Sequence, residues 1–321
     1  MADVQEAQHQ HQHQQPEPVE APEPLDIEDE SDARSLSGTS IQTDTDTLRS
    51  SIRDYRRENG RTYHSVSDGT YILPNDVREQ ERLDMQHHCW QLTWDGKLCM
   101  SPKNNGANRV LDVGTGTGIW AMDYADEHPA AEVIGVDLSP IQPEYVPPNC
   151  RFEIDDVEKE WTWQEPFDFI FARHMNACFA SWEKFLKQAY EYDNAFPIFC
   201  GDGTLKPDDP MARWSTLMME GTELIGRPIT VPGEFRRLLQ EAGFEDVVEN
   251  KRVWPTSPWP KDEALRALGV WTQACSLDGV EPGALALFTR VLGWTREEVL
   301  VFIAGVRKDF RNKDIHAYWN V

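Results

Sequence analysis

The segment LDVGTGTGIW, residues 111–120, places Gly114, Gly116 and Gly118 at alternate positions directly behind an apolar run that ends in Asp112 and Val113. Glycines so spaced allow a sharp turn and let a ligand approach the main chain closely. Where such a turn joins a strand to a helix, it also offers N–H groups without intrahelical partners at the positive end of a helix dipole. The flanking chain alternates. Arg109–Val113 reads as a strand, 118–127 as a helix stopped by His128-Pro129, and Glu132–Asp137 as a second strand before the loop PIQPEYVPP. Residues 151–154 and 167–172 read as further strands, and 182–192 as a helix. Strands alternating with helices predict an α/β fold with a mainly parallel sheet.

Upstream, LRSSIRDYRRENG (48–60) reads as a short helix closed by Gly60, and 76–92 as a second helix. Beyond 205 the pattern is mostly helical: 232–242 closed by Gly243, then helices near 261–275, 283–292 and 296–311, with one strand at 247–253. Residues 1–47 run through HQHQHQQ, PEPVEAPEP and IEDESD and carry twelve carboxylates against Arg34. A segment so polar buries too little apolar surface to offset its ordering entropy, and it is expected to be disordered. His9, His11 and His13 fall in that tract and read as low complexity rather than a metal site. The expected organisation is a tail over 1–47 and one domain over 48–321, with a ligand-binding core near 107–204 and a helical lid near 205–321.

A net charge of −24 disfavours non-specific attraction to phosphate, so no direct nucleic-acid partner is expected. The six cysteines contain no CxxC pair, which predicts neither a disulfide framework nor a metal site and suits a reducing compartment, cytoplasmic or nuclear. No run approaches the roughly 18 apolar residues of a membrane span, so no membrane partner is expected. Five of twelve tryptophans follow residue 250, which fits either an aromatic-lined region or ordinary core packing.

The first candidate ligand for the glycine turn is a dinucleotide, whose fingerprint is G-x-G-x-x-G. Here the third glycine, Gly118, comes one residue early, and the fingerprint position is Ile119. The spacing D-x-G-x-G-x-G from Asp112 to Gly118 instead resembles the cofactor loop of class I S-adenosylmethionine methyltransferases. That cofactor carries a sulfonium and an ammonium and no pyrophosphate, so Asp112 would attract it. Asp137, nineteen residues after Gly118, ends the second strand, where a carboxylate can accept both ribose hydroxyls. Asp155 and Asp156 end the third strand. The resemblance assigns an acid there to the adenine amine, with Asp156 followed by Val157 as the preferred register and Asp155 as the alternative. Any one of these acids taken singly reads equally as a local cap.

The segments LPNDVREQERLDMQHHCW, RVLDVGTGTGIWAMDYADEHP and AEVIGVDLSPIQPEYVPPNCRFEIDDVEKEW resemble the fungal LaeA-like (TAM-domain) methyltransferases of secondary metabolism and its regulation. WPKDEALRALGVW, FTRVLGW and RNKDIHAYW resemble the C-terminal half of the same family. The resemblance implies a Rossmann-like class I fold with N-terminal helices and a helical C-terminal lid. It implies S-adenosyl-L-methionine as cofactor, held by Asp112, Gly114, Thr115, Gly116, Asp137, Leu138, Asp156, Val157 and Arg173. It also implies that HHCW (87–90), Arg173 and His174 lie near the transferred methyl group. His174 reads as a possible base or, more simply, as a structural histidine, and no catalytic residue is assigned. The implied partner is a small-molecule acceptor or a regulatory protein.

In two places this chain departs from that pattern. The family's Lys-Pro-Gly-Gly turn and most of the following strand are missing around QAYEYDNAFPIFCGDGTL, and Pro197 interrupts what remains. The family also continues past IHAYW into a final strand. Strands five and seven are neighbours in the class I sheet, so both are expected to be shortened and that half of the sheet weakened.

Overall fold

A computed structural model describes residues 55–64, 71–186 and 195–321. The acidic tail, the first part of the expected 48–60 helix and the stretch 187–194 lie outside the described residues. What is described of 48–60 corrects the helix. β1 (Arg56–Glu58) and β2 (Arg61–Tyr63) form an antiparallel hairpin. Asn59 and Gly60 turn between them at φ 53° and 82°, values that fit a tight hairpin turn and no helix. Helix α1 (Val77–Thr93) then starts where Asp76 accepts the Glu79 N–H at 3.1 Å. Arg61 donates to the same Asp76 side chain and so joins hairpin to helix.

The alternating region folds as expected. β3 (Arg109–Val113), α2 (Ile119–Glu127), β4 (Glu132–Asp137), β5 (Cys150–Ile154) and β6 (Phe169–Ala172) follow in order. The four strands form a parallel sheet in the order β5-β4-β3-β6. The centre of this sheet is fully buried: Val110, Leu111 and Val113 of β3 and Val133, Ile134 and Val136 of β4 have no solvent exposure. Such continuous apolar runs are what a strand covered on both faces requires. Helix α3 (Trp182–Leu186) follows; the rest of the expected 182–192 helix lies outside the described residues.

The sheet does not continue as one unit. β7 (Ala195–Phe199) pairs antiparallel with the C-terminal segment rather than with β6, and the register slips between Ala195 and Phe199, where Pro197 has no N–H to donate. Helix α4 (Pro210–Leu224) and helix α5 (Phe235–Glu241), entered through a single 3-10 turn at Val231–Glu234, come next. β8 (Val253–Pro255) replaces the strand expected over 247–253. Helix α6 (Glu263–Arg290) runs 28 residues straight through Pro282, where two helices were expected. The missing Pro282 N–H is outweighed by burial of Val280, Ala284, Leu285, Leu287 and Phe288 in the largest apolar cluster. Helix α7 (Arg296–Arg311) starts with a capping box between Thr295 and Glu298. β9 (Tyr318–Asn320) supplies the short final strand and lies between β7 and β8 in a separate three-stranded sheet. Strands five and seven of the class I order are therefore both present, short and adjacent, but detached from the parallel sheet.

Gly118 caps α2 at φ +81°, and a Cβ there would meet the Phe152 ring at 2.3 Å. Gly118→Ala combines left-handed backbone strain of about 1–2 kcal/mol with overpacking of about 1–3 kcal/mol. A clear fall in the denaturation midpoint is expected, with an unchanged denaturant slope.

Candidate functional site

The C-terminal edge of the parallel sheet carries the loops that follow β3, β4, β5 and β6, the place where open α/β sheets bind ligands. The glycine turn is fastened to the strand beside it. Thr115 N–H donates to Val136 O at 3.0 Å, and Gly116 N–H donates to Asp137 Oδ2 at 2.9 Å. The other Asp137 oxygen accepts from Ser139 N–H at 2.9 Å, so each oxygen holds one backbone bond and keeps lone-pair capacity for a ligand. Gly114 and Gly116 both take positive φ, 65° and 57°. A Cβ on Gly114 would also strike Met175 Sδ at 2.5 Å.

At the end of β5, Asp155 Oδ1 accepts the Asp156 N–H at 2.7 Å, and Asp156 Oδ1 accepts the Glu158 N–H at 3.2 Å. The local-cap reading therefore holds for these acids, and it coexists with their position on a solvent-open cleft of about 1300 Å³. All nine residues expected at the cofactor line that cleft: Asp112, Gly114, Thr115, Gly116, Asp137, Leu138, Asp156, Val157 and Arg173, and with them Asp155 and His174.

Behind the turn lies a buried ionic chain. Asp112, 3% exposed, accepts the Thr115 hydroxyl at 2.6 Å. Burial pushes its carboxyl up to about 7, while the Thr115 bond and the Arg173 charge pull the other way. Burial lowers the Arg173 guanidinium to about 10 against the pull of Asp112 and Asp123. Arg173 donates to His87 Nδ1 at 2.9 Å, and His87 Nε2 lies 3.0 Å from Asp123 Oδ2. An Arg donor on Nδ1 makes that nitrogen the acceptor and places a proton on Nε2, so His87 links Arg173 to Asp123.

The expectation for HHCW needs correction. None of the four lines the cleft. His87 reaches Arg173 from behind, His88 packs edge-on against Trp271, and Cys89 and Trp90 are buried beside Trp254 and Leu268. The more N-terminal turns of α1 enter the cleft instead, with Glu79, Arg82, Leu83 and Gln86. Their spacing of three and four residues is the helical signal that could have identified them. Tyr71 and Met175 are further lining residues without a sequence signal. His174 sits at φ 63° with Gln86 Nε2 2.8 Å from its Nε2. Burial and the nearby Arg82 and Arg173 charges hold its pKa down at about 3, so it is neutral and a poor base. Among the described residues no helix is long and apolar enough to cross a membrane.

Comparison with known proteins gives a consistent result. Residues 85–249 match a family model described as a methyltransferase domain. The chain is 40% identical over 298 residues to methyltransferase pytC of Aspergillus terreus, covering 89% of this chain and 92% of that protein. It is 35% identical over 281 residues to the secondary metabolism regulator LAE1 of Cochliobolus heterostrophus, covering 82% and 92%. It is 36% identical over 277 residues to the secondary metabolism regulator laeA of Aspergillus fumigatus, covering 82% and 74%.

A carboxyl raised by burial keeps its proton in the folded chain at pH values where the unfolded chain has released it. Its contribution to stability is therefore lost as pH rises from about 4 and is fully lost past about 7. Asp112→Asn removes this dependence. The stability of the variant relative to wild type is expected to improve by on the order of 1 kcal/mol per pH unit over that window and to level off above it, as read by denaturation at several pH values.

Proposed function

The chain belongs to the LaeA-like fungal class I methyltransferases, and on that premise we propose that it binds S-adenosylmethionine in the cleft at the glycine turn. The observation that carries this reading is the donor set. Asp112, Asp137, Asp155 and Asp156 converge on one cleft from three successive strand ends. The two cleft arginines are already engaged, Arg82 by Glu79 at 2.7 Å and Arg173 by His87. Such a surface suits a ligand bearing a sulfonium and an ammonium and repels a pyrophosphate.

In this reading Asp137 accepts the ribose hydroxyls with the lone pairs that Gly116 and Ser139 leave open. Asp156 and the backbone at Val157 meet the adenine, Leu138 flanks it, and Asp112 faces the ammonium. The Thr115 hydroxyl holds Asp112 in place, and the nearby Arg173 charge favours its ionised form. The bound cofactor supplies an electrophilic methyl group. The protein's part is to align the acceptor, which needs no general base. The neutral His174 fits that role.

Relatives named as methyltransferases and relatives named as regulators stand at similar identity, so two readings follow: turnover on a small acceptor of secondary metabolism, or regulation through a protein partner in the cytoplasm or nucleus. Both require the cofactor. Calorimetry with S-adenosylhomocysteine tests it. Asp137→Asn keeps the size of the side chain and loses one charged acceptor, which at about 1.5–3 kcal/mol per bond should weaken binding by at least about tenfold. Equal affinity in both proteins, or binding of NAD in place of the methyl-donor product, would overturn the assignment. Turnover on extracts of fungal metabolites then separates the enzyme from the regulator.

A further inference from the structure

A second cavity of about 950 Å³ adjoins the first. It lies among α1, α4, α6, β8 and β9. Its wall is aromatic and aliphatic, with Trp214, Trp254, Trp319, Met218 and Val280 as the main contributors. The detached three-stranded sheet thus has a place in the site, since β8 and β9 each deliver a tryptophan. Leu73, Arg82, Gln86 and His174 line both cavities and form the partition between them.

We propose, building on the cofactor reading above, that this cavity is the methyl-acceptor site and that it takes an uncharged, ring-bearing apolar molecule carrying a hydroxyl, presented at the Gln86–His174 pair. The wall selects against charge of either sign. Its charged side chain is Arg82, which disfavours a protonated amine. A ligand carboxylate is disfavoured as well, because Arg82 is paired with the Glu79 carboxylate, to whose Oε1 Nε and Nη2 donate at 2.9 and 2.7 Å, while Nη1 faces Cys275 Sγ at 3.5 Å.

The polar groups deeper in the wall are satisfied internally. Thr272 donates its hydroxyl to Pro255 O, and Ser276 donates its own to Thr272 O. The Asn176 side-chain oxygen differs: it is buried and has no hydrogen-bond partner among the described residues. A hydroxyl proton would satisfy it. At the partition, Gln86 Nε2 lies 2.8 Å from His174 Nε2, and the Gln86 side-chain oxygen is left to accept a ligand hydroxyl. An apolar pocket walled by side chains of several elements suits a ring-bearing small molecule.

Transfer at the partition forms an oxygen–carbon bond as the donor's sulfur–carbon bond breaks. The electron pair of the broken bond stays on sulfur, which becomes an uncharged thioether, and the hydroxyl proton passes to water.

The test uses the full chain, with S-adenosylhomocysteine present and absent, and 1-naphthol as probe. Ser276→Phe fills the cavity from α6. Gly283→Val does so from two turns further, where a Cβ meets Met218 Cε at 3.6 Å, an ordinary contact, and serves if the first variant melts early. Calorimetry is expected to give naphthol binding in wild type and a loss of at least about tenfold in either variant, with S-adenosylhomocysteine affinity within about twofold of wild type. Binding of 1-naphthylmethylammonium or 1-naphthoate is expected to be at least about tenfold weaker than that of the phenol. Undiminished naphthol binding in both variants, equal binding of the charged probes, or a parallel loss of S-adenosylhomocysteine affinity each overturns the proposal. Failure of wild type to bind S-adenosylhomocysteine overturns the cofactor reading instead, and the naphthol comparison still decides the ligand class.

Discussion

One hydrogen bond, from the Gly116 N–H to the Asp137 carboxylate, joins the turn after the first parallel strand to the end of the second. The site depends on it. The bond fixes the glycine turn over the sheet edge and orients the carboxylate that faces the cleft. Asp155 N–H then donates to Asp137 O at 3.1 Å, so the third strand end is held to the second in the same way. Three acidic loops are thereby kept in register by one bond to a side-chain carboxylate and one main-chain bond. A rigid backbone edge of this kind presents ligand-binding groups at little reorganisation cost.

Electrostatics sets the second constraint. Asp112 is buried behind the turn, and an unpaired charge there would be costly. Its carboxyl is raised to about 7, and the neighbouring Arg173 is anchored through His87 to Asp123. The cleft thus holds an acid poised between charge states near neutral pH. A cationic ligand favours the ionised form, so ligand binding and proton release are coupled.

Strongly patterned elements were legible in the sequence. β3 and β4 have the expected bounds because their apolar runs are buried on both faces and end in acids at the loops. α1 has nearly the expected bounds. The residues expected at the cofactor each belong to a short local motif, and they line one cleft. Non-local choices were not. Asn59-Gly60 is a hairpin signal that an adjacent helical pattern obscured. Two helices were expected where α6 is continuous, because twelve buried residues along it outweigh the absent N–H of Pro282. The weakened half-sheet was anticipated from Pro197, yet its outcome, detachment beside a tryptophan-lined cavity, depends on pairing with β9 more than a hundred residues away. The HHCW segment was placed near the methyl group, but four consecutive helical residues point around the whole helix, and these begin only where α1 leaves the cleft, after Gln86.

The coupling between Asp112 and a cationic ligand is the central claim, and the pH dependence of S-adenosylmethionine affinity tests it most directly. Measured by calorimetry between about pH 5.5 and 7.5, affinity is expected to rise nearly tenfold per pH unit at the acid end and to flatten as the Asp112 carboxyl becomes ionised in the free protein. The same series on Asp112→Asn is expected to be weak and flat. A wild-type affinity that does not change with pH, or an Asp112→Asn variant that binds as well as wild type at neutral pH, would contradict the claim.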